Sequence, residues 1–169
     1  VPRPVGELRA TALAIGWRHG CALDGSGIAH CWGANGEGQL GDGALAARAA
    51  PVAVSGGLRF VALAAGRSHT CGIAADETTW CWGRLASGTA ATPVRVAGAP
   101  AFVALAAGSV HSCGRTAVGA VWCWGRNPYG QLGDGSTTDR AVPVRVAGGP
   151  YGAVSAAGAH TCAAADGGP

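Results

Sequence analysis

The residues with the most reactive side chains are histidines and cysteines that share the frame Gly-x-x-His-x-Cys. The frame occupies residues 16–21, 66–71 and 108–113, and a fourth copy, one residue shorter, ends at Cys162. A cysteine beside a histidine is the pairing of a nucleophilic catalyst, and both side chains are ligands that zinc prefers. Catalysis requires one activated pair in one cleft, whereas this chain repeats the pair four times. Repetition favours a structural role, and we expect the protein not to be an enzyme.

Six of the seven cysteines form pairs that are ten residues apart in the sequence. The first pair is symmetric about Ser26, inside the turn sequence Asp-Gly-Ser-Gly at residues 24–27. A hairpin centred on this turn places the two cysteines opposite each other on neighbouring strands. Opposed Cα atoms lie about 4.5–5.5 Å apart, a separation that a disulfide can span. We therefore predict an unpaired Cys162 and three cross-strand disulfides: Cys21 with Cys31, Cys71 with Cys81, and Cys113 with Cys123.

Two other roles for the cysteines are compatible with the same spacing. Reduced cysteine is a small hydrophobic side chain that packs well in a core. A metal is the other option, because His19 and Cys21 share a strand face and Cys31 lies opposite, which gives three ligands where a structural zinc site needs four. We expect no metal and no cofactor. A hydrogen bond from a strand to a neighbouring loop is the plainer expectation for the four histidines of the frame, His19, His69, His111 and His160.

The elements that must position these side chains are short strands separated by turns. A full unit contains Pro-Val-x-Val, a segment such as Phe-Val-Ala-Leu-Ala-Ala, the His-x-Cys segment and Cys-Trp-Gly. β-branched and aromatic residues between glycine-rich breaks favour strands, and no unit contains a convincing helix. Units of about 45–50 residues are typical of four-stranded propeller blades. Within a single repeat region of residues 1–169, the units are residues 1–50, 51–92, 93–142 and the truncated 143–169.

A further element, Gly-Gln-Leu-Gly-Asp-Gly, occurs in two of the units, at residues 38–43 and 130–135. Together with His-x-Cys, Cys-Trp-Gly and Pro-Val-x-Val, it makes the unit closely similar to the repeat of the regulator of chromosome condensation family. The resemblance implies an all-β fold, a β-propeller of four-stranded antiparallel blades, of which this chain supplies about three and a half. The second unit departs from the family pattern, because a shorter segment at residues 84–92 replaces the loop.

Two motifs resemble ligand sites but lack the necessary context. Residues 36–41 match Gly-x-Gly-x-x-Gly, yet a dinucleotide site needs a following βαβ unit, and the repeat continues instead to Pro51 and another strand. Asp42 and Asp134 are isolated and supply too few oxygen atoms for calcium. We interpret both motifs as turns whose side chains bond to the local backbone.

Composition limits the classes of partner. Twelve arginines, no lysine and nine acidic residues give a net charge of +3, which is too weak to indicate nucleic-acid binding. The longest charge-free stretch, residues 96–114, contains Gly98, Pro100 and Gly108 and does not qualify as a transmembrane helix. Paired cysteines favour a secreted or extracytoplasmic protein. From the leftover Cys162 we expect a piece of a larger propeller, whose remaining blades come from flanking sequence or a second chain.

Residues that recur in every unit are explained by the packing of the blades. Residues that bind a partner are therefore best sought at the positions where the repeats differ. The positions between Gly and His differ in every copy and are expected at one rim of the propeller. Exposed tryptophan and arginine are favoured in interfaces, although loop tips without a function are the competing interpretation. The turns at residues 35–37 and 127–129 form a second variable set. The candidate partner-binding residues are Trp17, Arg18, Arg67, Ser68, Ser109, Val110 and Tyr129.

The sequence therefore favours a non-catalytic scaffold that presents a loop face to a protein partner. Two alternatives follow from the family resemblance: guanine-nucleotide exchange on a small GTPase, and inhibition of an enzyme by capping its active site. Exchange requires a projecting wedge and a basic chromatin-binding tail, and we find no candidate for either in the sequence. We therefore rank the binding scaffold first.

Overall fold

The computed structural model of the chain describes residues 8–165. The predicted Pro-Val segment at residues 4–5 and the final residues 166–169 lie outside this range. Within it, fourteen strands form three four-stranded sheets and one two-stranded sheet, all antiparallel. No helix of this region is long and apolar enough to cross a membrane. The sheets confirm the predicted all-β fold with four-stranded blades, and we number them blade 1 to blade 4 in chain order.

Each four-stranded blade has its strands in chain order across the sheet. Blade 1 consists of β1 (Ala10–Ile15), β2 (His19–Asp24), β3 (Ala29–Gly33) and β4 (Arg48–Ala53). Blade 2 consists of β5 (Phe60–Ala65), β6 (His69–Ala74), β7 (Thr79–Leu85) and β8 (Gly88–Arg95). Blade 3 consists of β9 (Ala104–Ala107), β10 (His111–Arg115), β11 (Val121–Gly125) and β12 (Arg140–Arg145). Blade 4 has the two strands β13 (Tyr151–Ala157) and β14 (His160–Ala165).

The first strands of successive blades lie next to one another, and the fourth strands lie outermost. β1 contacts β5, β5 contacts β9, and β9 contacts β13. The outer strands carry the Pro-Val pairs, with Pro51 in β4, Pro93 in β8 and Pro143 in β12. Proline is tolerated in an edge strand because one missing N–H donor leaves no gap in the ladder. The Pro-Val strand closes the sheet of the preceding unit, so the blades are offset from the sequence units by one strand.

The glycine of Cys-Trp-Gly is the last residue of the third strand in blades 1 and 3 and lies two residues before the end of that strand in blade 2. The backbone geometry requires glycine in all three blades. Gly33, Gly83 and Gly125 have φ angles of 104°, 92° and 116°, which other residues rarely adopt. A Cβ atom at Gly33 would lie 2.6 Å from the carbonyl oxygen of Arg18. The N–H of the following residue donates to that same oxygen at 2.8 Å. The glycine thus brings the third strand against the Gly-x-x-His turn and holds that turn in place.

Apolar cores lie between adjacent blades. Between blades 1 and 2, Trp82 and Leu40 are fully buried, and the rings of Phe60 and Trp82 have centres 5.6 Å apart. Between blades 2 and 3, Phe102 stacks on Trp124 at 5.7 Å. Both faces of the inner strands are therefore covered, which explains why apolar residues occupy consecutive positions along them.

Candidate protein-binding face

The Gly-x-x-His turns lie at one end of the blades, between the first and second strands. In blades 1, 2 and 3 the glycine N–H donates to the histidine carbonyl oxygen across the turn, at 2.9 Å in each case. The two positions between these residues are therefore held outside the sheet. They carry six of the seven predicted partner-binding residues, Trp17, Arg18, Arg67, Ser68, Ser109 and Val110.

Main-chain contacts between blades align the turns into one surface, termed the turn face. Trp17 donates its N–H to the carbonyl oxygen of Gly66 at 3.2 Å, and Ser109 donates to that of Gly158 at 2.8 Å. A Cβ atom at Gly66 would lie 2.4 Å from the carbonyl oxygen of Gly108. Glycine is needed at this position because the backbone of the next blade occupies the space of a side chain.

Trp17 and Arg67 form the most prominent feature of the turn face. The Trp17 side chain is 65% exposed, although it is large and apolar. The guanidinium carbon of Arg67 lies 4.2 Å from the centre of the Trp17 ring, which is a cation–π contact. Both residues line an open depression of about 290 Å³ together with Ile15 and Ser109. The depression thus combines the apolar surface of Trp17 with the positive charge of Arg67.

The remaining candidates occupy separate places. Arg18 is exposed on the turn of blade 1, and Ser68 is half-buried on the turn of blade 2. Val110 lines a cavity between blades 2 and 3. Tyr129 is 79% exposed and borders a different depression, between blades 3 and 4. The structure therefore does not gather all seven candidates into one patch.

Beneath the turn face, the histidines join each blade to the next. Each Nε2 atom lies 2.8–2.9 Å from a hydroxyl oxygen on the second strand of the following blade. The pairs are His19 with Thr70, His69 with Ser112, and His111 with Thr161. His19, His69 and His111 form hydrogen bonds as predicted, but each partner is a hydroxyl on a strand of the next blade and not a loop. His160 is exposed, and its side chain forms no such bond within the described residues.

The hydroxyl of Thr70 determines the protonation of His19. Thr70 Oγ1 has one hydrogen and donates it to the Gln39 carbonyl oxygen at 3.0 Å, so it must accept from His19, whose Nε2 carries the proton. Burial lowers the pKa of His19 to about 4. Burial, together with the charges of neighbouring histidines, lowers the pKa of His69 to about 4 as well. Both imidazoles are therefore neutral at pH 7.

The six paired cysteines form the three predicted cross-strand disulfides. Each pair is directly opposed on the second and third strands of its blade, with Cα atoms 4.0–4.1 Å apart, slightly less than the expected value of about 4.5–5.5 Å. Cys162 is free and exposed. Oxidised sulfur is neither a nucleophile nor a thiolate ligand. Among residues 8–165, no three His, Cys, Asp or Glu side chains are grouped so that they could hold a metal ion.

A loop between the third and fourth strands inserts against the following blade in two places. Residues 37–43 of blade 1 and residues 129–135 of blade 3 are termed the plug loops. In the first, Leu40 is fully buried against blade 2. The carbonyl oxygen of Gln39 accepts a hydrogen bond from Trp82 Nε1 at 2.9 Å. The plug loop therefore fills the junction between two blades.

Asn35 holds the plug loop of blade 1 in shape. Its Nδ2 donates to Asp42 Oδ1 at 3.0 Å, and its Oδ1 accepts from the Leu40 N–H at 3.0 Å. Asp42 also accepts from the Ala44 N–H and from Arg48 Nε. Equivalent contacts of the asparagine and aspartate recur in blade 3. The Gly-x-Gly-x-x-Gly match and Asp42 thus belong to a structural turn, as interpreted from the sequence.

Two sets of positioning residues are not evident from the motifs described above. The first set is the hydroxyl residues that contact the histidines, and the second is the asparagines inside the plug loops. A sequence signal exists for the first set, because Thr or Ser follows His in the second, third and fourth copies of the frame, whereas Gly20 follows it in the first. A signal for the second is the asparagine that stands five residues before each plug-loop leucine.

Comparison with known proteins identifies the repeat. The family model "Regulator of chromosome condensation (RCC1) repeat" matches residues 26–73 and 118–164, and a second model of the same description matches residues 10–39 and 102–131. The first model alone covers more than half of the chain. No curated protein matches the chain by sequence.

Solved structures share the fold. Prp20p from Saccharomyces cerevisiae is 26% identical with a TM-score of 0.78, and the match covers 93% of this chain and 44% of that chain. The ectodomain of the Arabidopsis thaliana receptor kinase ACR4 is 20% identical with a TM-score of 0.62, covering 95% of this chain and 47% of that chain. The ectodomain of the Physcomitrella patens receptor kinase CR4 is 24% identical with a TM-score of 0.60, and the match covers 89% of this chain and 34% of that chain. The chain thus spans less than half the length of each of these structures, and it belongs to the RCC1 repeat family.

Proposed function

We propose that the chain is a non-catalytic scaffold whose turn face binds a protein partner. The observation that carries this proposal is the exposed pair of Trp17 and Arg67. Tryptophan and arginine are enriched among the residues that dominate binding energy, and burial of a tryptophan removes a large apolar area from water. The hydrogen bond from Trp17 to Gly66 holds the two turns in a fixed relation. A preorganised surface of this kind loses little conformational entropy on binding.

The similarity to Prp20p supports protein binding as the general role. The structure of Prp20p was described with its binding properties to Gsp1p and histones, and a second structure contains Kap60 bound to yeast RCC1 (Prp20). These partners are those of Prp20p, of which the match covers 44%. We carry over only the class of function, which is binding to another protein.

The engagement of the reactive side chains supports a role without catalysis. His19, His69 and His111 are used for hydrogen bonds between blades. Six of the seven cysteines are in disulfides within blades. These roles recur from blade to blade, as expected for groups that stabilise a repeat fold.

We further propose an extracellular location. Three disulfides in a chain of 169 residues favour an oxidising compartment, because cytosolic thiols are kept reduced. Two plant receptor-kinase ectodomains have the same fold.

The test is capture of a partner on the immobilised protein from the extracellular fraction of its source organism, followed by affinity measurement. We expect the double variant Trp17→Ala, Arg67→Ala to lower the affinity by about thirtyfold or more, which corresponds to a hot spot of about 2 kcal/mol. Val118→Ala is the control, because Val118 is 81% exposed in the turn at the opposite end of blade 3. It should leave the affinity unchanged.

Two results would contradict this proposal. One is equal affinity of the wild type and the double variant for the captured partner. The other is release of guanine nucleotide from a captured small GTPase, which would indicate exchange activity instead. A loss of affinity confined to the double variant would support the turn face as the binding surface.

A further inference from the structure

The plug loop of blade 1 shows what completes the junction between two blades. The side chain of Leu40 is fully buried between blades 1 and 2. The carbonyl oxygen of Gln39 accepts hydrogen bonds from Thr70 Oγ1 at 3.0 Å and from Trp82 Nε1 at 2.9 Å. One apolar side chain therefore fills the junction, and one backbone carbonyl group accepts the hydrogen bonds that the next blade donates there.

Blade 2 has no plug loop to offer to blade 3. Its strands β7 and β8 continue as a hairpin, in which Leu85 pairs with Gly88 around a two-residue turn. The junction between blades 2 and 3 contains a cavity of about 260 Å³, termed the plug cavity. Its apolar lining includes Leu85, Val94, Val96, Val110 and Trp124.

The groups that contact a plug are present on blade 3. Ser112 and Trp124 occupy the positions of Thr70 and Trp82, and both line the plug cavity. Trp124 is only 6% exposed, and none of residues 8–165 accepts a hydrogen bond from its Nε1. The Nε1 atom is not one of the buried polar atoms that lack a partner, so solvent reaches it from the cavity, and a ligand carbonyl at this place would replace water as its acceptor.

The border of the plug cavity is positively charged. Arg84 and Arg95 line it, and none of its lining residues is acidic. Arg84 contacts Glu37 at 3.3 Å, whereas Arg95 forms no ion pair in the described part of the chain, although it lies close enough to Asp76 for their charges to interact. In the plug loop of blade 1 it is Glu37 that contacts an arginine of the next blade, whereas Asp42 is paired with Arg48 of its own blade. Charge complementarity therefore favours an acidic ligand.

We propose that the plug cavity binds an acidic, leucine-bearing loop of a partner protein, which inserts between blades 2 and 3 as the plug loop of blade 1 inserts between blades 1 and 2. The leucine side chain packs on the apolar lining, and the preceding carbonyl oxygen accepts from Trp124 Nε1. The proposal rests on the proposed function, because Val110 belongs to both the turn face and the plug cavity. It does not involve Trp17 or Arg67.

A peptide copied from residues 37–43, Glu-Gly-Gln-Leu-Gly-Asp-Gly with blocked termini, is the probe. NMR of the ¹⁵N-labelled protein follows the indole N–H of Trp124, which is assigned with Trp124→Phe. We expect a saturable shift of this signal with a dissociation constant on the order of 1 mM, because a flexible peptide loses entropy on binding. A matched peptide with alanine in place of leucine should bind about tenfold more weakly. An unchanged Trp124 signal, or equal binding of the two peptides, would overturn the proposal.

Two variants locate the site of binding. In the first, a copy of residues 34–50 replaces residues 84–92, which gives blade 2 a plug loop of its own and should abolish peptide binding. The second variant, Arg95→Glu, alters one exposed side chain and should weaken binding about fivefold. Its control is Arg145→Glu, because Arg145 has the same register in blade 3 but does not line the cavity. Equal binding by Arg95→Glu and Arg145→Glu would place the peptide elsewhere and refute the proposal.

The double variant Trp17→Ala, Arg67→Ala separates this proposal from the proposed function. It should bind the peptide as the wild type does, even though its affinity for a captured partner falls. Absence of peptide binding in a wild-type protein that still captures its partner would refute only the plug-cavity proposal. Intact peptide binding, with a partner affinity that does not depend on Trp17 and Arg67, would refute only the role of the turn face.

Discussion

Acidification from pH 7 to pH 5 should destabilise the protein through the histidines that are buried between its blades. Burial lowers the pKa of His19 and of His69 from 6.5 to about 4. Because these folded-state pKa values lie below the pKa of an unfolded histidine, the unfolded chain binds more protons than the folded protein at any pH between about 4 and 6.5. The stabilisation is therefore complete above pH 6.5 and is lost as the pH falls towards 4.

The size of the effect follows from the two pKa values. At pH 5 the unfolded histidine is almost fully protonated and the folded one is still mostly neutral. Each such residue therefore lowers the free energy of unfolding by about 2 kcal/mol relative to pH 7. Two such residues cost about 4 kcal/mol, which is a large share of the stability of a typical domain. Burial also lowers the pKa of His111, which acts in the same direction. Carboxylates contribute little in this interval, because an unfolded aspartate titrates near 3.8.

Urea unfolding at pH 7, 6 and 5 measures the loss directly. The variant His69→Gln keeps an amide that can hydrogen-bond to Ser112 but removes one titrating group. Between pH 7 and pH 5 its free energy of unfolding should therefore fall by about 2 kcal/mol less than that of the wild type. Val118→Ala is the control, because it changes an exposed side chain that does not titrate; it should keep the wild-type pH dependence. A wild-type stability that is constant from pH 7 to pH 5 would refute the reasoning, and so would a His69→Gln variant with the wild-type loss.

Three further predictions concern the blades and their junctions. Replacement of both Cys21 and Cys31 by alanine should lower the free energy of unfolding by about 3 kcal/mol, because the bridge closes a loop of ten residues. Denaturant unfolding measures this loss. Thiol titration of the denatured wild type should find one free thiol per chain. Leu40→Ala should cost about 2–5 kcal/mol in the same assay, because its side chain is fully buried. Gly66→Ala should lower the melting temperature strongly, because the new Cβ would meet the backbone of blade 3, while Gly25→Ala, with nothing within 4 Å, should not.

Contacts within a blade could be predicted from the sequence because they depend on the register of a hairpin. A turn centred on Ser26 places Cys21 opposite Cys31, and the structure has this register. The outer strands could be recognised for a similar local reason, since proline is compatible with an edge. The turn chemistry of Asp42 also depends on residues within a few positions of it.

Contacts across a junction could be predicted only in part. The frame Gly-x-x-His places Trp17 and Arg67 in turns, but the distance between the two side chains depends on how blade 1 stacks on blade 2. The partner of His19 is a hydroxyl 51 positions away in the chain. No spacing within a single unit specifies such a partner.

The sequence by itself determined the repeat, the strands, the pairing of the cysteines and the absence of a plug loop from the second unit. The tertiary structure alone decided that the histidines bond to the next blade, that Trp17 meets Arg67, and that the missing loop leaves a cavity against Trp124. The physical reason is that hairpin register is set by turns of a few residues. The stacking of blades, in contrast, depends on side chains that lie 43–51 positions apart and meet only when whole sheets pack together.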